Sequence, residues 1–419
     1  MYLCFLAGGW VNIYGQQELT LEQCEILALK NNTEIKNGKL EIEDAEQVKL
    51  QASGKYFPSV NAIGGAFYAS KGLIETEIMP GVELSMIKKG IVGGVVATQP
   101  LYTGGQISNT NLLATLNIDA KSRQLEQAID VVIQTTEKYY WQYFLLMEKL
   151  KTLDVMEKLV ENTSKDAELS VKEGLIINND LLQIQLKKDE IAGNRLQLEN
   201  NLQLTKALLA QYIGIQLSDF TPANVIEEKL PPPTEYKANH EEALKGTVTY
   251  KLLDMNVKSS KLQTKLEIGK YMPTVAVGAA YMYHNLLGKD QPFGMVYTTV
   301  FVPISDWWSG SHAIRQKKLR EKIAENNSQN TKELLIIQMQ QLYSNLEVYY
   351  KQVQIAQRSI ENAKETVRLN TNYYKAGTGS LTSLLDAQSS LQQARDNYTE
   401  KYTNYLLERS EYQRKVRAH

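Results

Sequence analysis

No stretch of this chain approaches the roughly 18 consecutive apolar residues of a membrane-crossing helix, which leaves it without a transmembrane helix. Cysteine is nearly absent: the two present, Cys4 and Cys24, make no disulfide framework. The four histidines form no His-Glu-x-x-His motif and no His/Cys cluster, so no metal site is recognisable and no cofactor is expected. Charge of one sign is lacking too. The 46 Lys and Arg against 47 Asp and Glu give a net charge of −1, where a nucleic-acid binder carries a basic patch. No nucleophile–base pair and no paired carboxylates stand in a recognisable context, so the chain does not read as an enzyme. Lys375-Ala376-Gly377-Thr378-Gly379-Ser380 lacks the Gly-Lys-Ser/Thr ending of a phosphate loop and follows a helical stretch, so it is a turn. Phe is scarce, at 7 against 24 Tyr, and Tyr suits half-wet surfaces such as helix seams and membrane interfaces.

What the chain does have is a repeat. Gly54-Lys55-Tyr56-Phe57-Pro58-Ser59-Val60 returns as Gly269-Lys270-Tyr271-Met272-Pro273-Thr274-Val275. Thr98-Gln99-Pro100-Leu101 returns as Phe301-Val302-Pro303-Ile304, and Val171-Lys172-Glu173-Gly174 as Tyr374-Lys375-Ala376-Gly377. Pro100 and Pro303 are 203 residues apart, and so are Lys172 and Lys375, so the segment between those landmarks is built alike in both halves.

That segment reads as a very long helix. Neither Gly nor Pro occurs from Gln106 to Glu173 or from Ser311 to Ala376. At about 1.5 Å per residue each run reaches roughly 100 Å, and a helix that long needs a partner along its length. The spacing supplies one. Leu342, Leu346, Tyr349, Val353, Ala356, Ile360, Ala363, Val367, Asn370 and Tyr374 alternate steps of four and three, a heptad seam broken only by Asn370. A seven-residue row resumes at Leu384, Leu391, Tyr398, Tyr405 and Tyr412. In the first half Leu146, Leu153, Val160 and Ala167 lead out, and Ile184, Ile191, Leu198, Thr205 and Tyr212 lead back. Each half is therefore expected to hold a long helical hairpin, its tip at Lys172-Glu173-Gly174 or at Lys375-Ala376-Gly377, with Gly suited to the left-handed helix cap.

Four strand-like stretches lie between the helices, at Val60–Ala69, Ile91–Gln99, Val275–Tyr283 and Met295–Val302, rich in Val, Ala, Gly and aromatics. Each has about the 9–11 residues of a tilted strand crossing a bilayer. Ser70–Gly90 and His284–Gly294 read as loops, and Pro58, Pro100, Pro273 and Pro303 as strand–helix junctions. Four strands cannot close a barrel, and an open edge in lipid leaves backbone groups unpaired. If the strands cross a membrane, several chains must share one barrel, and three chains would give an even-numbered twelve-stranded one. The alternative is two soluble hairpins capping a coiled-coil rod, a periplasmic scaffold without membrane insertion.

Met1–Tyr14, mostly apolar and ending at Gly15-Gln16-Gln17, resembles a secretory signal peptide, though the basic opening segment is missing, which points to a start upstream. A lipid anchor on Cys4 is disfavoured by Met-Tyr-Leu before it. The expected organisation is 1–16 signal peptide remnant, 17–213 first repeat, 214–239 linker stiffened by Pro231-Pro232-Pro233, and 240–419 second repeat.

The duplicated order helix, Tyr-x-Pro, strand, loop, strand, Pro, long helix, Gly turn, helix resembles the outer-membrane efflux proteins of the TolC family, from about Thr20 to Arg417. Its landmarks are Leu19-Thr20-Leu21-Glu22-Gln23 followed by Ala28-Leu29, Tyr56-Phe57-Pro58, Tyr271-Met272-Pro273, Gln99-Pro100-Leu101-Tyr102-Thr103-Gly104-Gly105, Tyr374-Lys375-Ala376-Gly377-Thr378 and Leu384-Leu385-Asp386-Ala387. The resemblance implies a mixed fold: long α-helical hairpins forming an α-barrel plus a transmembrane β-barrel shared by a homotrimer, four strands per chain, in outer-membrane lipid and reaching into the periplasm. It implies a passive exit duct docked to a periplasmic adaptor (membrane fusion) protein and an inner-membrane transporter, the RND type among them. It also implies a pore constriction near the tips. Asp386 matches an acidic ring position, Ser383 replaces the family's second acidic residue, and Tyr374 and Asp180 match positions linking neighbouring hairpins. A basic residue that some members carry two after Gly-Thr falls at Gly379 or Ser380 here, so the resemblance implies no charged lock at that place. Lys172, Glu173, Gly174, Lys375, Gly377, Thr378 and Gly379 are the expected adaptor-contacting tips.

Overall fold

The computed structural model describes residues 17–80, 82–172, 178–216, 220–223, 230–286 and 289–417. The expected signal peptide, and Glu173 and Gly174 of the first tip, lie outside the described residues. The elements are β1 (Gln17–Leu19), α1 (Leu21–Asn31), α2 (Thr33–Gly54), β2 (Ser59–Tyr68), β3 (Ile74–Met79), β4 (Val82–Met86), β5 (Lys89–Thr103), α3 (Gln106–Lys172), α4 (Asn178–Ile213), β6 (Phe220–Pro222), a 3-10 turn at Pro233–Tyr236, α5 (His240–Gly246), α6 (Val248–Lys270), β7 (Thr274–His284), β8 (Gln291–Phe301), α7 (Trp307–Lys375) and α8 (Leu381–Val416). They fall into two compact units. One comprises Met1–Gly38, Leu125–Tyr250 and Lys332–His419; the other comprises Lys39–Gln124 and Lys251–Thr331.

The first unit is mostly helical. It holds the stretch of the 67-residue α3 from Leu125 on and of the 69-residue α7 from Lys332 on, each followed by a 36-residue helix, α4 or α8. Every position of the α7 seam from Leu342 to Tyr374 is buried or half-buried, with Leu346 fully enclosed. Leu384, Leu391, Tyr405 and Tyr412 of α8 are buried opposite, and Tyr398 half-buried. In the first hairpin Leu153, Val160, Ala167, Ile184 and Ile191 share one cluster. Tyr fills these seams because its ring packs while its hydroxyl can give or accept a hydrogen bond. The Tyr405 hydroxyl donates to the Pro231 carbonyl, and the Ala238 amide donates to the Tyr412 hydroxyl at 3.2 Å.

α1 begins in a capping box. The Gln23 amide donates to Thr20 Oγ1 at 3.3 Å, and the Thr20 amide donates to Gln23 Oε1 at 2.9 Å. The small residues Cys24 and Ala28 then lie fully buried in a cluster with Leu209 and Ile213. Burial pushes the Cys24 thiol up to about 12, with the Glu25 charge adding to it, so this thiol is packing rather than chemistry. β1 pairs parallel with β6, which ties the stretch 214–239 back to Gln17–Leu19, and no strand signal announced it.

The second unit carries the antiparallel sheet, in the order β2-β5-β7-β8. Three expectations are corrected here. Ser70–Gly90 is not only loop: Ile74–Met79 and Val82–Met86 form a second, short hairpin. β7 runs to His284 and β8 starts at Gln291, so the loop between them is shorter than expected. Pro100 stands inside β5 rather than at a junction, because the register shifts between Pro100 and Tyr102 and a bulge tolerates a residue without an N–H. Pro58 and Pro273 do sit between helix and strand, and Pro303 between β8 and α7. At the strand–helix turn Gly104 has φ +61, and a Cβ there would meet the Gly269 carbonyl oxygen at 2.4 Å. Only glycine fits both demands.

Candidate functional site

The sheet has two chemically different faces. Directly opposed residues of a ladder share a face. One face carries Val60, Ala62 and Ala66 of β2, Ile91, Val95 and Ala97 of β5, Val277, Ala279 and Tyr281 of β7, and Val296 and Val300 of β8, with Lys89, Gln99 and Thr298 as its polar members. The other mixes Asn61, Thr98, His284, Tyr297 and Thr299 among small and apolar residues. Along β7 the first set is exposed at Ala279, Tyr281 and Tyr283, while Gly278 and Ala280 are buried. The Tyr297 ring lies across Gly278, where a Cβ would meet its Cζ at 2.2 Å, and its hydroxyl stands 3.3 Å from Thr98 Oγ1. A bare, near-continuous apolar face on strands of 10–15 residues is what a bilayer-facing sheet requires. β2 and β8 are its edges, and no other strand among the described residues pairs with their outer sides.

The helices also leave apolar surface bare. α7 carries a second seven-residue row, Leu334, Gln341, Val348, Ile355, Asn362 and Leu369, whose apolar members are all exposed. α4 exposes Leu182, Leu186, Leu196 and Leu204. Sequence reading picked out the row that faces α8 and passed over this one, although an exact period of seven was there to find.

The second tip is a cap closed by backbone. Gly377 has φ +70, and its amide donates to the Tyr374 carbonyl at 3.0 Å. The Thr378 and Gly379 amides both donate to the Tyr373 carbonyl at 3.0 Å, which stops α7. A Cβ on Gly379 would meet Tyr373 Cβ at 2.8 Å. Ser380 Oγ then accepts from the Ser383 amide at 3.1 Å and starts α8. Lys375 Nζ is 3.1 Å from Asp166 Oδ2, and Thr382 Oγ1 donates to Gln183 Oε1 at 3.4 Å, so the tip of the second hairpin is tied to the first. Leu381 enters the cluster of Val160, Ala167 and Ile184.

The sequence-predicted constriction residues divide into two pairs. Tyr374 and Asp180 come together: burial pushes the Tyr374 phenol up, and the charges of Asp180 and then Asp166 add to it. The Tyr374 hydroxyl is buried with no hydrogen-bond partner among the described residues. Ser383 and Asp386 instead lie exposed on α8. Lys172, Lys375, Gly377 and Thr378 are exposed at or beside the tips, and Gly379 is half-buried. Among the described residues no cluster of His, Cys, Asp or Glu could hold a metal ion, and no helix is long and apolar enough to cross a membrane.

One buried charged network lies away from the tips. Glu137, 4% exposed, accepts from Ser410 Oγ and from the Arg414 guanidinium, and Arg414 also donates to Ser410 Oγ at 2.7 Å. Burial, then the Glu137 charge, pushes the nearby Glu25 carboxyl up to about 7, with Arg414 opposing.

Residues 255–410 match the family model described as outer membrane efflux protein. No curated protein sequence matches the chain. Among solved structures, the outer-membrane channel OprN superposes with a TM-score of 0.81 at 16% identity, covering 95% of this chain and 90% of that one. The CmeC outer membrane channel of Campylobacter jejuni gives 0.79 at 15%, covering 94% and 85%. The open state of the MtrE outer membrane channel of Neisseria gonorrhoeae gives 0.77 at 16%, covering 94% and 88%. The resemblance read from the sequence is thus borne out, by the family pattern over residues 255–410 and by the fold over nearly the whole chain. The matching family is one of channel proteins rather than enzymes, and its description puts such proteins in the outer membrane.

Proposed function

We propose that this chain, an outer-membrane efflux protein by its fold and by the pattern of residues 255–410, works as a homotrimeric channel and as the passive exit duct of a tripartite system. Three chains share one twelve-stranded barrel. The observation that carries this reading is the β2-β5-β7-β8 sheet: largely apolar on one face, with two edges that no other strand among the described residues pairs. In lipid each unpaired backbone group costs several kcal/mol, so edges of this length demand partners. The exposed rows of α7 and α4 support the reading, since a long helix with a second uncovered seam fits a second copy.

The repeats 17–213 and 240–419, joined by 214–239, are the proposed architectural halves, and 1–16 the proposed leader. The hairpin tips are the proposed docking end for a periplasmic adaptor, with Lys172, Glu173, Lys375 and Thr378 as contacts, and an inner-membrane transporter, of the RND type among others, supplies the cargo. Asp386 is the proposed pore-lining acid, and Tyr374 with Asp180 the proposed tie between hairpins. Mass measurement in mild detergent is expected to give three chains, and cysteines at Lys172 or Thr378 to crosslink to the adaptor. A stable, monodisperse monomer sinks the shared barrel. Crosslinks formed only from mid-helix cysteines sink tip docking.

A further inference from the structure

The helical unit holds a hollow of about 230 Å³ where α3 meets α7 and α8. Its floor is a pair of short side chains. Thr152 of α3 and Thr399 of α8 are both buried, beside rows that carry Leu146, Leu153, Tyr398 and Tyr405. The Thr399 hydroxyl donates to the Arg395 carbonyl of its own helix at 3.2 Å, which leaves the space above it unfilled.

The walls are aromatic. The Phe144 and Tyr402 rings, both buried, have centroids 6.2 Å apart at 37°, and Tyr398 stacks on Tyr402 at 6.1 Å and 30°. Ile360 adds the α7 wall. The rim is charged, and unevenly. Glu148 Oε1 lies 2.7 Å from Lys151 Nζ, so those two charges cancel. Arg395, half-buried, has no ion pair and no hydrogen bond for its guanidinium among the described residues. The hollow therefore sets one unmatched positive charge beside aromatic faces.

These features select a class of ligand. A cavity of roughly 150 Å³ lined by apolar side chains takes up benzene, so this larger one has room for a single ring with a small substituent. Aromatic side chains grip such a ring by stacking and by edge contacts. A guanidinium without a partner matches a carboxylate, which it can bind through two parallel N–H···O bonds. We propose that this hollow is a binding site for a single-ring aromatic carboxylate, with the ring among Phe144, Tyr398 and Tyr402 and the carboxylate on Arg395. α3 belongs to the first hairpin, and α7 and α8 to the second. The occupant therefore braces one hairpin against the other and stabilises the folded chain by linkage. Every contact comes from one chain, so the site stands apart from the shared-barrel reading.

The full-length protein in mild detergent tests the site, with benzoate as the probe and empty micelles as the blank. Benzyl alcohol keeps the ring without the charge, and cyclohexanecarboxylate keeps the charge without the aromatic face. Calorimetric titration is expected to show saturable binding of one benzoate per chain, about tenfold tighter than either comparison compound, and benzoate is expected to raise the thermal midpoint. Arg395→Gln is expected to weaken benzoate about tenfold while leaving benzyl alcohol unchanged, because a charge-assisted hydrogen bond is lost and the ring contacts stay. Arg395→Lys is expected to recover part of the loss. Thr152→Leu fills the hollow and is expected to abolish binding of all three compounds. Should that variant fail to fold, photolabelling of the unaltered protein with 4-azidobenzoate takes its place, with label expected in residues 144–155 and 395–402 and displaced by benzoate. Equal benzoate affinity in the unaltered protein and in Arg395→Gln overturns the proposal. So does benzoate uptake no greater than that of empty micelles, which would leave the hollow a packing gap, and so does label confined to other segments.

Discussion

α7 presents two apolar rows that differ in one respect, which is whether anything covers them. Leu346 and Val353 are buried against α8, while Val348 and Ile355, on the same helix and of the same chemistry, are exposed. Along β7 the sheet repeats the contrast, with Ala280 buried on one face and Tyr281 exposed on the other. The lesson is that each element is patterned for two environments, and the chain alone supplies only one of them. A covered row holds the fold together, and a bare row is surface that the proposed assembly would cover.

The largest expected effect separates the two rows. Leu346→Ala empties a fully enclosed site and is expected to cost about 2–5 kcal/mol, read as a lowered midpoint of chemical unfolding. Ile355→Ala removes a bare side chain and is expected to leave the unfolding of a single chain within about 0.5 kcal/mol while lowering the trimer fraction at a fixed detergent concentration. Equal destabilisation by both variants, with the trimer fraction unmoved, erases the distinction.

The two faces of the sheet can be set apart in the same way. Val95 lies on the apolar face and the adjacent Val96 on the mixed face, both near the middle of β5. Val95→Arg is expected to cost about 2–4 kcal/mol of stability in bilayers, the penalty of a cation at the hydrocarbon midplane. Val96→Arg, on the face that would line the lumen of the proposed barrel, is expected to cost distinctly less and to change conductance instead. The reverse order would swap the faces.

A smaller effect concerns the buried charges that hold α1 to the helical unit. The Glu25 carboxyl is raised from 4.5 to about 7, by burial and then by the Glu137 charge. The folded state therefore binds this proton more tightly than the unfolded chain does. Its stabilisation is present in full below about pH 4.5 and is lost as pH rises to about 7, since ionisation is then easier in the unfolded chain. Because Glu25 is only half-buried, the loss is on the order of 1 kcal/mol. Glu25→Gln is expected to flatten the change in thermal midpoint over that window, and an unchanged slope in the variant would assign the effect elsewhere.

How much of this was legible in the sequence follows from which signals are local. The long helices, their returns and the Gly377 turn were readable because period, missing Gly and Pro, and a positive φ are each written within one segment. The four sheet strands were readable for the same reason. The hairpin of β3 and β4 was not, since Glu75, Glu77 and Glu83 look like loop chemistry and become strand only by pairing across the hairpin, Glu75 opposite Ser85 and Glu77 opposite Glu83. Pro100 read as a boundary because proline usually ends a strand, yet the bulge beside it lets β5 continue to Thr103. Neither the β1–β6 tie nor the meeting of Glu25, Glu137 and Arg414 could be seen, because each brings together residues that are more than a hundred apart in the chain. Tyr374 and Asp180 were paired by resemblance, and the structure brings them together; Asp386 is placed on an exposed face, where its role depends on neighbours that the chain does not contain.

That dependence makes Asp386 the finest test of a bare surface. It is exposed on α8, nine residues past Gly377 and about one and a half turns into the helix that starts at Leu381. It supports no packing, so Asp386→Asn is expected to leave the unfolding midpoint and the trimer fraction unchanged. In a threefold assembly its three copies would ring one axis, and their summed field would favour cations over anions. A solitary carboxylate on an outer face would be screened within about 8 Å at physiological salt and would leave no trace in the current. Planar-bilayer recordings of the two proteins side by side separate these cases. The variant is expected to lose part of its cation preference and to be blocked less by multivalent cations, with the effect growing as salt is lowered. Identical reversal potentials and identical block at low salt would place Asp386 on the outer face, with the bare rows rather than in the pore.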